Sequence, residues 1–161
     1  MEFLNSERNS ELYPNDPLAP ARYQPSYLFA ITMFGDPLAW FENTGLSSRF
    51  VVDASPIISS WKEEREAIYR GTILPIGEVP DGVSWTGFAS VADGQRGGYL
   101  LAFRELNAHS TWTVPPSIFE AGNYHKQILG GEGKVTQTSD TFLVDIQKPL
   151  GFVWARLDIA H

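Results

Sequence analysis

The sequence predicts a mainly β protein, an antiparallel β-sandwich of about eight strands preceded by a short helical region of two or three helices. Three observations support this fold class. Residues 72–161 contain twenty Val, Ile or Thr residues, against eight in residues 1–71, and β-branched side chains favour strands. The same part holds eleven of the fourteen glycines, which suit tight turns. Its apolar runs are short and are separated by turn residues, as is typical of sandwiches.

Residues 1–26 are predicted to form an irregular N-terminal segment without regular secondary structure. Residues 1–10 carry charged side chains and lack the apolar core of a secretory signal, so we predict no signal peptide and leave the compartment open. Four prolines follow between positions 14 and 25, a density that disfavours both helix and strand.

The rest of the first part predicts two or three helices. The run SYLFAITMF at residues 26–34 is apolar on nearly all sides, which predicts a buried helix, with a buried strand as the alternative. A short helix is predicted for residues 37–43, capped by the preceding aspartate. A third helix is predicted with Ser55 as its N-cap, Pro56 as its first residue and Gly71 as its end.

The second part predicts strands joined by tight turns. Asp93-Gly94 is a strong hairpin signal, and the glycine-rich residues 130–133 predict another hairpin turn. The predicted strands cover residues 72–79, 83–92, 98–104, 111–114, 124–129, 134–138, 141–146 and 151–157. The predicted organisation is therefore an irregular and helical region, residues 1–71, followed by an antiparallel β-sandwich, residues 72–161.

Composition excludes several classes of function. The net charge of −7 argues against a nucleic-acid partner, because nucleic-acid binding requires a basic face. No apolar run reaches the roughly 18 residues that a membrane span needs, so we expect no membrane partner. The absence of cysteine excludes disulfides, thiolate metal sites and cysteine nucleophiles.

Motifs that carry chemistry are missing from the sequence. His109, His125 and His161 stand alone, without the spacing of a metal site. Residues 130–134 (GGEGK) lie between strands and lack the spacing of a phosphate-binding loop, and no nucleophile elbow is present. The acidic residues between 63 and 66 predict a solvated helix face. The sequence therefore predicts no catalytic residue, no metal site and no cofactor.

Tryptophans are the candidate ligand-binding residues. Trp112, Trp85 and Trp154 could offer flat faces to sugar rings, which predicts carbohydrate as the ligand. Trp85 and Trp154 lie inside strand patterns, where filling the sandwich core is the alternative role. Trp112 follows a turn and precedes two prolines, which favours its exposure.

Three stretches of the chain resemble a known family. Residues 27–46 (YLFAITMFGDPLAWFENTGL), residues 61–71 (WKEEREAIYRG) and residues 73–90 (ILPIGEVPDGVSWTGFAS), followed by GYLLAFRE, are similar to the C-terminal end of melibiase-type α-galactosidases and related glycoside hydrolases. In that family a TIM barrel performs the chemistry, and an antiparallel β-sandwich follows its last helix. The resemblance covers roughly residues 27–105. It implies that residues 1–71 hold a remnant of the barrel's last elements.

The resemblance implies a non-catalytic accessory domain of an α-galactosidase-like glycoside hydrolase, with a role in carbohydrate metabolism. The family's two catalytic aspartates lie on earlier barrel strands, and no stretch of this chain matches them. A free-standing carbohydrate-binding module and a small β-sandwich enzyme, whose site assembles only in three dimensions, are the alternatives. Without a barrel, the apolar side chains of residues 27–46 would lie open. We therefore expect this segment to self-associate or to contact a missing catalytic barrel.

Overall fold

Two compact units, Met1–Glu63 and Glu64–His161, make up the chain. The structure is a computed structural model that describes residues 13–37, 48–115 and 117–160. In this described part, helices α1 (Pro25–Ala30) and α2 (Ser48–Arg70) precede the strands, and α2 runs from the first unit into the second. The division between the units, after Glu63, falls within α2. The organisation into residues 1–71 and 72–161 stays a prediction.

Helix α1 confirms that the apolar run of residues 26–34 begins as a helix and not as the alternative, a buried strand. It begins with Pro25 as its first residue, where the missing N–H has no helical partner to lose. Hydrogen-bonded turns continue the chain beyond Ala30, with Thr32 N donating to Phe29 O at 2.9 Å and Gly35 N to Thr32 O at 2.9 Å. The short helix predicted for residues 37–43 lies outside the described residues, apart from Pro37.

Helix α2 begins earlier than predicted. Ser55 and Pro56 are not its N-cap and first residue, because the helix starts at Ser48 and carries Pro56 inside it. Pro56 lacks the N–H that would bond the preceding turn. The Ser55 hydroxyl donates to the Val51 carbonyl at 2.6 Å in this weakened region. The predicted end is confirmed, since Gly71 N bonds the carbonyls of the last turn.

The second unit confirms the predicted fold class. Its described residues form eight strands in two antiparallel sheets, ordered β1-β2-β3-β8-β5 and β4-β7-β6. The strands are β1 (Thr72–Gly77), β2 (Trp85–Val91), β3 (Gly97–Arg104), β4 (Thr111–Thr113), β5 (Tyr124–Gly131), β6 (Lys134–Thr138), β7 (Thr141–Asp145) and β8 (Gly151–Ile159). Each overlaps one predicted strand.

A continuous apolar core lies between the two sheets. Alternate residues of the strands point into it, as the period of two in a strand requires. The larger sheet contributes Ile76, Trp85, Ala89, Val91, Leu100, Ala102, Tyr124, Val153, Ala155 and Leu157, and the smaller sheet contributes Val135, Phe142 and Val144. Two sheets that share one core form a sandwich.

The outer face of the larger sheet is buried at its centre as well. Tyr99, Leu101, Phe103, Phe152 and Trp154 are each at most 5% exposed and alternate along β3 and β8 with the core residues. Burial on both faces explains why these two strands are apolar along most of their length instead of at alternate positions.

The glycine-rich joint at residues 130–133 is not the predicted hairpin turn. It leads from β5 in the larger sheet to β6 in the smaller one. Gly131 has a φ of 85°, and a Cβ there would overlap the carbonyl oxygen of Phe152. The glycines therefore serve a crossing between sheets, where the backbone passes close to β8.

Candidate functional site

Two of the three candidate tryptophans are buried, Trp85 in the core between the sheets and Trp154 on the outer face of the larger sheet. Trp154 is fully buried and Trp85 is 6% exposed. Neither indole has a face open to solvent. Trp85 fills the sandwich core, which is the alternative role given above, whereas Trp154 packs on the other face of the sheet. Within the described part, the indole N–H groups of both residues have no hydrogen-bond partner.

Trp112 lies half-buried on β4 and stacks on Trp85. The two ring centroids are 5.8 Å apart and the ring planes differ by 14°. One face of Trp112 is therefore occupied by another indole, and the side chain packs against the sandwich core. Only the remainder of the ring is available to a ligand, which makes Trp112 one end of a stacked pair rather than a free platform.

The apolar segment that was expected to lie open is buried over its described half. Leu28, Phe29, Met33 and Phe34 are each at most 5% exposed. Inside the first unit, the Trp61 ring meets Phe29 edge-on at 5.6 Å, and its Nε1 donates to Met33 O at 3.1 Å. The expectation of open side chains is therefore wrong for residues 27–30, 33 and 34. Residues 38–46 of the segment lie outside the described part.

A polar cluster joins the end of α2 to the larger sheet. The Tyr99 hydroxyl donates to Glu64 Oε2 at 2.6 Å, and Arg156 Nη1 donates to Glu64 Oε1 at 2.9 Å. Arg156 also donates through Nε to Asp158 Oδ2 at 3.1 Å and through Nη2 to Gln127 Oε1 at 2.7 Å. Both oxygens of Glu64 and all three guanidinium nitrogens are thus engaged within the cluster.

The surroundings of this cluster shift two pKa values. Burial raises the pKa of Tyr99, and its hydrogen bond to Glu64 and the charge of Glu64 add to the effect. Burial alone would lower the pKa of Arg156, but the charges of Glu64 and Asp158 outweigh it and raise that pKa. The phenol therefore stays protonated and the guanidinium charged, as fixed donors. Such an arrangement anchors the last turns of the helix on the sheet.

Sequence reasoning missed this cluster because its members are far apart in the chain. Glu64 was assigned to a solvated helix face, and it is half-buried, while its neighbours Glu63 and Glu66 are exposed. Strand pairing places Tyr99 directly opposite Arg156, an adjacency that no local pattern encodes. A Tyr and an Arg in otherwise apolar strands were the only available signal.

Sequence reasoning also missed a buried cation. Arg104, at the end of β3, is 6% exposed. Its Nε and Nη2 donate to Asn107 O at 3.0 and 2.8 Å, and its Nη1 donates to Ile146 O at 2.8 Å and Gln147 O at 2.6 Å. Arg104 thereby ties the loop after β3 to the loop after β7.

The histidines do not come together. His109 and His125 are exposed, on a loop and on β5, and His161 lies outside the described residues. Among the residues that the structure describes, no three His, Asp or Glu side chains are grouped as metal ligands would be. Neither described helix has the length and apolarity to span a membrane.

Two shallow depressions mark the surface of the second unit. One is lined by the mutually packed rings of Phe119, Tyr124 and Phe142. The other is a groove along β1 and the end of β2, lined by Thr72, Leu74, Val91, Ala92, Asp93 and Gly94.

No family model, curated protein or solved structure matches this chain.

Proposed function

We propose that this chain is a non-catalytic accessory β-sandwich associated with an α-galactosidase-like glycoside hydrolase. The observation that carries the proposal is the joint between α2 and the larger sheet. The resemblance of residues 27–105 implies a sandwich that directly follows a helix, and here β1 starts two residues after α2 ends. The polar cluster of Glu64, Tyr99 and Arg156 then holds the last turns of that helix on the sheet.

Gly71 makes this joint tight. A Cβ at residue 71 would overlap Ser90 Oγ and approach Val91 O to 2.9 Å. The Ser90 hydroxyl at the same place donates to Ile68 O at 2.6 Å, so a larger residue would separate helix and sheet. This supports a sandwich that carries the last turns of the helix, residues 64–70, directly on its larger sheet rather than on a linker.

A chimera tests the accessory role. Residues 64–161 replace the C-terminal sandwich of a melibiase-type α-galactosidase, and soluble yield and α-galactoside hydrolysis are compared with those of the barrel alone. We expect the chimera to exceed the barrel in both, and its Gly71→Val variant to lose the gain. Thr72→Val is the control, because Thr72 follows the joint directly and its side chain is exposed. A chimera no better than the barrel alone contradicts the accessory role.

The native chain tests the non-catalytic part of the proposal. We expect no release of p-nitrophenol from aryl α-galactosides or related aryl glycosides above the buffer rate. Turnover that disappears on mutation of one carboxylate would establish the alternative of a small β-sandwich enzyme.

A carbohydrate-binding module is the second candidate, favoured by the partly open Trp112 ring stacked on Trp85. Titration calorimetry with galacto- and gluco-oligosaccharides tests it. Loss of binding in Trp112→Ala, with a melting curve recorded because this ring also packs on the core, would support the module. No heat of binding by the parent chain removes it.

Association through residues 27–46 is the finer part of the accessory proposal, with a second copy of the chain or a catalytic barrel as partner. Its argument from exposed apolar area now depends on residues 38–46, since residues 27–30, 33 and 34 are buried. Light scattering at high concentration tests this association, and a dimer supports it. A monomer that binds little dye specific for exposed apolar surface would mean that the segment is already covered, and the argument that the chain is a fragment would fail.

A further inference from the structure

The chain contains two Asp-Gly pairs, Asp81-Gly82 between β1 and β2 and Asp93-Gly94 between β2 and β3. An aspartate that precedes a glycine can rearrange without an enzyme, because glycine lacks a Cβ and its backbone nitrogen can approach the preceding side chain closely. The two pairs share this local chemistry. The structure around each pair therefore decides which of them reacts.

Hydrogen bonds hold the carboxylate of Asp81 in place. Its Oδ1 accepts from Val83 N at 2.9 Å and from Ser84 N at 2.7 Å, and its Oδ2 accepts from the Ser84 hydroxyl at 3.0 Å. These donors also lower the pKa of Asp81, so the group stays ionised. The rearrangement needs a neutral carboxyl, because one of its oxygens has to leave as water. Asp81 is therefore fixed in position and in the unreactive charge state.

The carboxylate of Asp93 has no such restraint. Its side chain is exposed, and within the part of the chain that the structure describes it makes no hydrogen bond and no ion pair. The next charged residue along the chain, Arg96, pairs instead with Glu120 at 3.5 Å. Asp93 also lines the open groove beside β1, so its side chain has room to turn towards the backbone of the following residue.

The backbone around Gly94 is open as well. Gly94 is exposed, and a Cβ at this residue would meet nothing nearer than 3.8 Å. It belongs to a single 3-10 turn, Asp93–Gln95, in which its own backbone angles are not helical. The hydrogen bonds of such a turn have poor geometry. The backbone rotation that brings the Gly94 nitrogen to the Asp93 side chain therefore requires only a local opening of this turn.

We propose that Asp93 is a site of spontaneous covalent modification, at which aspartate converts to isoaspartate through a cyclic imide. The nitrogen of Gly94 attacks Cγ of the neutral carboxyl, the N–H proton and the carboxyl OH leave together as water, and a five-membered ring forms. Water then opens the ring at one of its two carbonyls. Opening at the side-chain carbonyl restores aspartate, and opening at the main-chain carbonyl gives isoaspartate. This inference does not depend on the association with a glycoside hydrolase.

The modification lengthens the connection between two strands of the larger sheet. Isoaspartate adds one carbon to the backbone and leaves the main-chain carboxylate as a branch. The geometry of a tight connection depends on its length, and this connection is closed by the bond from Ala92 N to Gly97 O at 2.9 Å. We therefore expect the isoaspartate form, separated from the parent by ion exchange, to show faster hydrogen exchange at Ala92 N.

Incubation of the intact chain at mildly acidic pH and body temperature tests the proposal, with the same chain in urea as the reference. Trypsin releases residues 71–96 as one peptide that contains both sites. A second protease, which cleaves before aspartate but not before isoaspartate, then reports each site as a loss of cleavage. In the folded chain we expect isoaspartate to form at least about tenfold faster at Asp93 than at Asp81. In urea the two rates should agree within about twofold, because the hydrogen bonds of Asp81 are lost.

Two matched variants act on one site each. Gly94→Ala should slow the modification of Asp93, because the new methyl group shields the attacking nitrogen, and should leave Asp81 unchanged. Ser84→Ala removes the hydroxyl donor of Asp81 and should speed the modification of that residue alone. Three results would overturn the proposal: a rate at Asp81 that equals or exceeds the rate at Asp93 in the folded chain, a tenfold preference for Asp93 that persists in urea, and absence of isoaspartate at Asp93.

Discussion

Replacing Arg104 should lower the free energy of unfolding of the sandwich more than replacing any other single polar side chain. Arg104→Met keeps most of the side-chain length and removes the guanidinium. The charged group is 6% exposed, and no carboxylate pairs with it within the described part. Its four hydrogen bonds to three backbone carbonyls are what offset the cost of burying it.

The magnitude follows from the acceptors that the substitution leaves behind. The Ile146 carbonyl is buried, and an unsatisfied buried acceptor costs about 1–3 kcal/mol. Water can partly replace the other three bonds, so each is worth about 0.5–1 kcal/mol. Because the substitution also removes the cost of burying a charge, the destabilisation is smaller than the total of these contributions. Two backbone bonds, from Ile146 N to Ser110 O and from Leu150 N to Glu105 O, also join these loops and remain in the variant. The unsatisfied acceptors outweigh the recovered cost, and we expect a net loss of about 2–4 kcal/mol.

Urea unfolding followed by far-ultraviolet circular dichroism measures this loss, and hydrogen exchange should show faster exchange in residues 105–110 and 146–150. The expected change corresponds to a fall of roughly 5–15 °C in melting temperature for a chain of this size. Arg96→Met is the control in the same unit. Its exposed ion pair with Glu120 should be worth less than about 1 kcal/mol. If Arg104→Met cost no more than the control, the argument from buried carbonyl acceptors would be refuted.

Three further substitutions test other parts of the fold. Gly131→Ala should destabilise the chain by more than about 2 kcal/mol, because the φ of residue 131 is positive and the new Cβ overlaps a backbone carbonyl. Gly94→Ala, where the φ is also positive but the surroundings are open, should destabilise it by about 1 kcal/mol. Urea unfolding of both variants measures the difference. Tyr99→Phe should cost about 1–2 kcal/mol through the lost bond to Glu64, and a double-mutant cycle with Glu64→Gln that shows no coupling would contradict that assignment. Backbone N–H groups of its turn hold the pKa of Asp81 below its ordinary value of 3.8. The stabilising effect of the Asp81 carboxylate is therefore complete above pH 3.8 and is lost as the pH falls through the lower pKa of the folded state. Asp81→Ala should flatten the fall in stability that urea unfolding measures between about pH 5 and 2, and an unchanged slope would contradict this role of Asp81.

The strands were predictable because their signals are local. β6 has its predicted bounds, and β2 and β3 are joined at the predicted Asp93-Gly94 turn. A period of two, β-branched residues and turn glycines act over a few neighbouring residues, so a short window contains the whole signal. The start of α2 shows where that logic fails. Ser55 and Pro56 form a good start signal, but a proline is tolerated inside a helix when the turn before it is supported in another way.

Roles that depend on distant residues were decided by the tertiary structure. The same sequence pattern suits Trp85 in a core or on a ligand face, and only the partner strand determines which face is covered. Burial of Leu28 and Phe34 could not be predicted either, because an apolar run does not reveal what covers it.

By itself, the sequence determined that this chain folds as a β-sandwich after a helical region, since binary pattern and turn chemistry depend on adjacent residues. The tertiary structure alone decided which strands share a sheet, and with it every feature of functional interest. Glu64 meets Arg156 across 92 positions of the chain, and Arg104 joins two loops. The physical reason is that pairing free energies are small and similar for many strand combinations, so the order of strands follows from the packing of the whole core, to which every strand contributes at once.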